Sequence, residues 1–430
     1  MAQPLSRRWL QLVVGCTLLC FFGLIYAWSL FIEPLETEFG WLRSQTSTIF
    51  TISVATVSLG MIVAGALESR FGHRIITFAA AAMIVFGFVA SAFCHSLIEI
   101  FIYYGVFVGL GVGIGFNVAV AVPLKWYPDK QGIASGALLM GYGAGAMVLS
   151  PLVTSLLGVL NWRLTFIVLA VLFGLLVVAG ALILRSPEPE TIAPLLEKAR
   201  EANIVSAVNY KPGQIVKMPI FWIAFVWLTI VTSGGLAVIG HAVPAAVEVL
   251  GAKGATASGL ALATLAMGCV SLCNGLGRLL NGFIWDKIGY RVSLIWVSLA
   301  FASGMLLCAL SVSSGSFPVL LVGFVLLGLM FGGIMSCTST IAGTFFGTEH
   351  FGINYAILCS QMIPAAFIGP SLLAVTQTGS GSYQMAFWAF FGIAVGAFVL
   401  SFAVKRSKVV GQEEASAPAQ TMNLVGESVA

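Results

Sequence analysis

Residues 269–291 read CVSLCNGLGRLLNGFIWDKIGYR, an apolar helical run that carries one arginine, Arg278, and ends in the charged turn Asp286-Lys287-Ile288-Gly289-Tyr290-Arg291. Arg278 stands eight residues before Asp286. At a rise of about 1.5 Å per residue it lies roughly 12 Å inside the helix end. A hydrocarbon core is about 30 Å thick, so this spacing puts a permanent cation near mid-membrane. A charge at that depth is expensive, is kept for function and faces a protein cavity instead of lipid. Its helical neighbours Asn274, Gly275, Asn281 and Gly282, with Ser271 one turn further, form a polar, small-residue stripe around it.

The rest of the chain is built from similar helices. Of 430 residues, 59% are hydrophobic and 8% charged, where soluble domains carry about 25% charged residues. The composition predicts an all-α membrane protein with many spans and little mass outside the bilayer. The apolar run that follows Arg7-Arg8 extends to Ile32, too long for a cleaved signal core and without an A-x-A-like end. Cys16/Cys20 and Cys269/Cys273 are pairs one helical turn apart, with no histidine or carboxylate beside them. They are expected to be small packing residues, and no metal site is expected. There is no phosphate-binding loop and no nucleophile with a base beside it, so neither an enzyme nor a cofactor is expected.

Twelve apolar segments follow one another, at residues 9–32, 45–67, 75–94, 98–123, 133–158, 163–184, 220–247, 256–284, 292–312, 317–345, 353–376 and 384–404. Most reach the roughly 20 residues that a spanning helix needs. With the N-terminus in the cytoplasm, sixteen of the twenty Lys and Arg fall inside; Arg43, Arg163 and Lys253 fall outside and Arg278 lies within a span. That asymmetry is the positive-inside signal and predicts cytoplasmic termini in a cytoplasmic membrane. Residues 185–219 interrupt the pattern with nine charged residues and several prolines. They predict a cytoplasmic linker between two six-helix bundles, 1–184 and 220–408, with a short amphipathic helix over 194–202. The tail, 409–430, has few large apolar residues and is expected to be disordered.

The two halves repeat. Gly65-Ala-Leu-Glu-Ser-Arg70-Phe-Gly72-His-Arg74 is matched by Gly282-Phe-Ile-Trp-Asp286-Lys287-Ile-Gly289-Tyr-Arg291, an offset of 217. Gly132 and Gly352 match at 220, Gly109/Gly113 and Gly328/Gly332 at 219, and Gly23/Gly40 and Gly234/Gly251 at 211. Parallel six-span halves are a transporter signature, with the substrate site between them at mid-membrane.

The pattern Gly282-x-x-x-Asp286-Lys287-x-Gly289-x-Arg291 resembles the cytoplasmic loop motif of the major facilitator superfamily. The first copy departs from it, with Ser69 at the aspartate position and Glu68 beside it, so gating is expected from the second copy. Tyr26-Ala-Trp28-Ser29, Trp126-Tyr-Pro128-Asp129-Lys130-Gln-Gly132, Gly141-Tyr142-Gly143 and Arg278 are together similar to the oxalate–formate antiporter family, itself related to the monocarboxylate transporters. The resemblance implies that Arg278 contacts a substrate carboxylate. It also implies a second cation, a lysine, at the position that is Met362 here, with Gln361 beside it. One fixed cation balances one carboxylate, and a dianion would leave a buried negative charge uncompensated.

Arg278 is therefore the expected carboxylate clamp, its planar fork matching a carboxylate bidentately. A structural ion pair is the alternative, but all sixteen acidic residues fall in loops, tails or span ends. Tyr26, Tyr142, Asn117, Asn274 and Phe331 are the further substrate-binding candidates, the first three against ordinary packing or helix–helix bonding. Phe331 and Met335 are expected to form an apolar wall. His241 lies between Gly234-Gly235 and Pro244, where the helix is expected to break. It either binds substrate or carries a proton, or else bonds backbone freed by the break. Arg70, Arg74, Asp286, Lys287 and Arg291 are expected to latch helix ends in one conformational state.

The expectation from sequence is a secondary transporter of a small monocarboxylate of the lactate, pyruvate or formate type. It works by alternating access as a monomer, coupled to protons or to a counter-anion. The alternatives are an oxalate or dicarboxylate exchanger, which lacks its second cation, and a carboxylate-sensing receptor, for which linker and tail carry no signalling motif. Nothing in the chain suggests nucleic-acid binding.

Overall fold

The structure, a computed structural model, describes residues 7–201, 209–251 and 256–405. Every regular element among them is a helix. The membrane helices are α1 (Arg8–Ala27), α2 and α3 (the limbs 43–71 and 73–92 of the helix Arg43–Ala92), α4 (Leu97–Leu124), α5 (Gln131–Val159) and α6 (Trp162–Ile183). The second half contains α7 (Pro219–Leu250), α8 (Ala257–Lys287), α9 (Tyr290–Ser314), α10 (Phe317–Phe346), α11 (Phe351–Gln377) and α12 (Tyr383–Ser401). Only 11 of these traces are separately long and apolar enough to cross a membrane, because α2 and α3 join as one 45-residue apolar stretch, Thr48–Ala92. Straight, it would reach about 67 Å, more than twice a hydrocarbon core. Gly72 breaks it with φ 75° and ψ 156°, a conformation open to glycine alone at low cost.

Gly289 turns the chain between α8 and α9 in the same way, at φ 113°. The internal repeat is thus a repeat of backbone geometry. It also governs packing. A Cβ on Gly109 or Gly113 of α4 would strike the backbone of α2 at Ser53 or Val57, and one on Gly328 or Gly332 of α10 would strike that of α8 at Val270 or Asn274. Close backbone approach at small residues replaces the hydrophobic drive that lipid removes.

Helix α7 runs unbroken from Pro219 to Leu250 with Pro244 inside it, so the expected interruption is absent. Gly234 and Gly235 serve packing instead: Phe301 and Phe331 fill the space that their side chains would take. The discontinuity lies in α11, where Ser360-Gln361 form a turn between Phe351–Cys359 and Met362–Ser380. The amphipathic linker helix spans Pro189–Glu201. The remainder of that expected helix and the tail from 409 lie outside the described residues.

The described chain ends and the linker gather at one end of the bundle, the linker side. Arg8 pairs with Asp129, Trp126 Nε1 donates to the Arg185 carbonyl at 2.8 Å, and Tyr210 N donates to the Phe346 carbonyl at 3.0 Å. The halves meet where α5 crosses α8 and where α2 meets the first part of α11.

Candidate functional site

Arg278 sits ten residues from the C-terminal end of α8, counting itself and Lys287, at the face that α8 presents to α5. It is 5% exposed. Its Nε donates to Asn274 Oδ1 at 3.4 Å, one turn back on the same helix. Its Nη1 donates across the halves to the Leu139 carbonyl of α5. Among the described residues no carboxylate pairs with it. A buried guanidinium held only by neutral oxygens keeps most of its attraction for an anion.

Three tyrosines lie within electrostatic reach of Arg278: Tyr26 from α1, Tyr142 from α5 and Tyr355 from α11. The Tyr26 and Tyr142 rings meet edge to face at 5.3 Å, and Phe116 of α4 backs Tyr142 at 4.7 Å. Tyr26 is 40% exposed, whereas Tyr142 and Tyr355 are buried. The result is a buried cation with tyrosines of both halves near it. Such an arrangement offers one positive charge beside aromatic surface.

Arg278, Asn274, Tyr26 and Tyr142 are thus brought together as the sequence suggests. Tyr355 and the Leu139 carbonyl were not foreseen. Tyr355 offered a signal, as an aromatic in an apolar span, but a backbone carbonyl offers none. Gln361 gains weight from the structure: it is fully buried, and neither its Nε2 nor its Oε1 has a hydrogen-bond partner.

The other candidates make different contacts. Asn117 is fully buried and its Nδ2 donates at 2.9 Å to the Gly352 carbonyl of α11, so its amide joins the halves, while its Oδ1 has no hydrogen-bond partner among the described residues. Phe331 is seated on Gly235 inside the second half. His241 Nδ1 lies 3.0 Å from Tyr383 Oη. Both His241 and Arg278 stand nine residues from the nearer end of their helices, but at opposite ends, so they are separated by roughly 20 Å along the bundle. Tyr383 Oη gives the ring a neutral partner on its own half, away from Arg278. His241→Gln is therefore expected to leave the pH profile of transport superimposable on that of the unmodified protein. A flattened profile in vesicle assays between pH 5 and 8 would restore the proton-carrying role.

Of the five gating candidates, Asp286 joins the halves. Its Oδ1 accepts from Gly132 N and its Oδ2 from Ile133 N, both at 2.8 Å. These are orphan donors of the first turn of α5, where the helix dipole favours a carboxylate. Gly282 makes the approach possible, since a Cβ there would stand 2.6 Å from the Gly132 carbonyl carbon. Arg74 donates to the Leu182 carbonyl of its own half at 3.1 Å. Arg70 and Arg291 lie over the neighbouring rings of Phe71 and Tyr290, and Lys287 is exposed. In the first copy, Glu68 pairs with Lys125 at 2.6 Å. It also flanks Gly352, the counterpart of Gly132.

The sequence profile of the Major Facilitator Superfamily matches residues 13–275 and 260–425. The chain belongs to the major facilitator superfamily. An oxalate:formate antiporter from Oxalobacter formigenes is 27% identical to this major facilitator protein over 411 residues, which cover 92% of each chain. Monocarboxylate transporter 1 of Mus musculus is 26% identical over 174 residues, 40% of this chain and 35% of its own length. In fold, the chain superposes on the proton:xylose symporter XylE bound to 6-bromo-6-deoxy-D-glucose with a TM-score of 0.61 at 17% identity, covering 94% of this chain and 96% of XylE. This protein is a multi-pass membrane transporter, related to the oxalate:formate antiporter and to the monocarboxylate transporters.

Proposed function

We propose that the protein carries a small monocarboxylate, of the lactate, pyruvate or formate type, across the cytoplasmic membrane by alternating access of its two halves. The observation that carries this reading is Arg278: a buried guanidinium at the junction of the halves, with no carboxylate partner among the described residues. Its relatives named for oxalate, formate and monocarboxylates support an anion of this chemistry. Tyr26, Tyr142 and Tyr355 would surround the bound anion, and Asn274 would orient the guanidinium. The asymmetry of Lys and Arg supports a cytoplasmic linker side. The bonds of Asp286 and Asn117 then close the cytoplasmic end of the carrier, which makes this its outward-facing arrangement.

The decisive assay is uptake by purified protein in liposomes across labelled lactate, pyruvate, formate, acetate and oxalate, with and without an inward proton gradient. Uptake of a monocarboxylate with little response to oxalate is the expected result. Met362 holds a neutral thioether next to the turn in α11. Met362→Lys is accordingly expected to make oxalate a competitor of pyruvate uptake. Its inhibition constant should fall by about tenfold or more, the factor of roughly 1.4 kcal/mol that one added charge-assisted contact provides. Equally weak oxalate inhibition in both proteins would show that position 362 does not face the bound anion, and equally strong inhibition that a second cation already serves the site.

A further inference from the structure

We infer that Gly143 is a positioning residue for Arg278: by leaving room for the guanidinium on α5, it lets the empty carrier hold its own halves together until an anion arrives. The inference rests on the reading of Arg278 as the anion-binding group. In the structure the guanidinium crosses from α8 and donates to the Leu139 carbonyl. It reaches that carbonyl because position 143 has no side chain. A Cβ there would stand 2.9 Å from Arg278 Cζ, 3.0 Å from Nη1 and 3.1 Å from Nη2. Leu139 and Gly143 are four residues apart and share one face of α5, so gap and carbonyl form a single seat.

Between this seat and the cytoplasmic end, α5 and α8 touch repeatedly. A Cβ on Gly136 would meet the Arg278 carbonyl at 2.5 Å, and one on Gly132 would meet Asp286 Oδ1 at 2.7 Å. Opening toward the cytoplasm must part these two helices, and the Arg278–Leu139 bond must break. A carboxylate is a stronger acceptor than a neutral carbonyl. A bound anion therefore draws the guanidinium away from Leu139, and the loaded carrier separates its halves without breaking that bond. The empty carrier has to break it with nothing in exchange. A hydrogen bond from a charged donor slows such a step by about 10- to 100-fold. Flux then runs as exchange of one anion for another, and the empty carrier turns over slowly.

The test uses purified protein in liposomes loaded with labelled pyruvate. Efflux is compared into buffer with and without unlabelled pyruvate. For the unmodified protein, external pyruvate should speed efflux by about tenfold or more, the lower end of that hydrogen-bond factor. In Gly143→Ala the methyl group displaces the guanidinium from Leu139. The ratio should fall toward one, and the KM for external pyruvate should drop severalfold because no internal bond is left to displace. A variant that is merely damaged would keep the ratio and raise KM. An unchanged ratio, a raised KM, or unmodified protein whose efflux ignores external pyruvate each overturns the inference. The last comparison decides even where Gly143→Ala fails to reach the membrane. Absent uptake, or uptake that persists in Arg278→Ala, would overturn the carboxylate reading and this inference with it. Uptake that depends on Arg278 but shows a ratio of one overturns this inference alone.

Discussion

Arg278→Ala is expected to abolish carboxylate uptake while leaving a folded protein in the membrane. Removing one partner of a buried, hydrogen-bonded charge pair costs about 3–5 kcal/mol. Applied to the bound anion, that is roughly a hundredfold to several-thousandfold loss of transport at low substrate. The fold should tolerate the change. The Leu139 carbonyl that Arg278 contacts belongs to α5, where it also receives the helical bond from the residue four positions on. Its loss of the guanidinium therefore leaves no orphaned acceptor. Arg278→Lys should retain part of the activity, because the charge stays but the bidentate fork does not. Uptake in liposomes, together with elution of the detergent-solubilised variant at the unmodified position, checks both. Unchanged uptake in Arg278→Ala would remove the site from the α5–α8 junction.

Why Arg278 was legible from sequence, while several of its neighbours were not, follows from the cost of each group in a membrane. A charge in the middle of an apolar helix has few admissible places, so its position along α8 and its inward orientation follow from spacing alone. The glycine offsets also hold in the fold, because Gly72 and Gly289 are needed for one backbone conformation. Polar neutral residues are far less constrained. Asn117 has several ways to be satisfied, and the one it takes, the Gly352 carbonyl, depends on how the halves are docked. His241 has the composition of a functional residue, but its partner Tyr383 comes from a helix 142 residues away. The predicted break in α7 failed for a related reason. Paired glycines signal either a weak helix or a close neighbour, and only the packing of Phe301 and Phe331 decides between them. The Leu139 carbonyl was invisible in principle, since every residue carries one.

Asp286→Ala is expected to shift the carrier from the arrangement with its linker-side ends closed toward one with those ends open, with little effect on the intrinsic anion site. The carboxylate accepts from two N–H groups of the other half, Gly132 and Ile133, and these bonds exist only while the linker-side ends of α5 and α8 are together. Charge-assisted hydrogen bonds contribute about 1.5–3 kcal/mol each. Water takes up part of the loss at this half-buried end, so a net change of roughly 2–3 kcal/mol is expected, a 30- to 150-fold change in the balance of states. Asp286→Asn should be intermediate, since its amide oxygen can still accept one of the two bonds while its NH₂ faces the other donor. Spin labels on cysteines at Arg70 and Glu349, exposed on opposite halves at the linker side, in a background without the eight native cysteines, would report the shift as a longer label–label distance. Affinity measured on the detergent-solubilised variant should change far less than that distance distribution. A distribution that matches the unmodified protein would mean that Asp286 caps α5 without governing which way the carrier faces, and the closure would then rest on the glycine contacts and on Asn117.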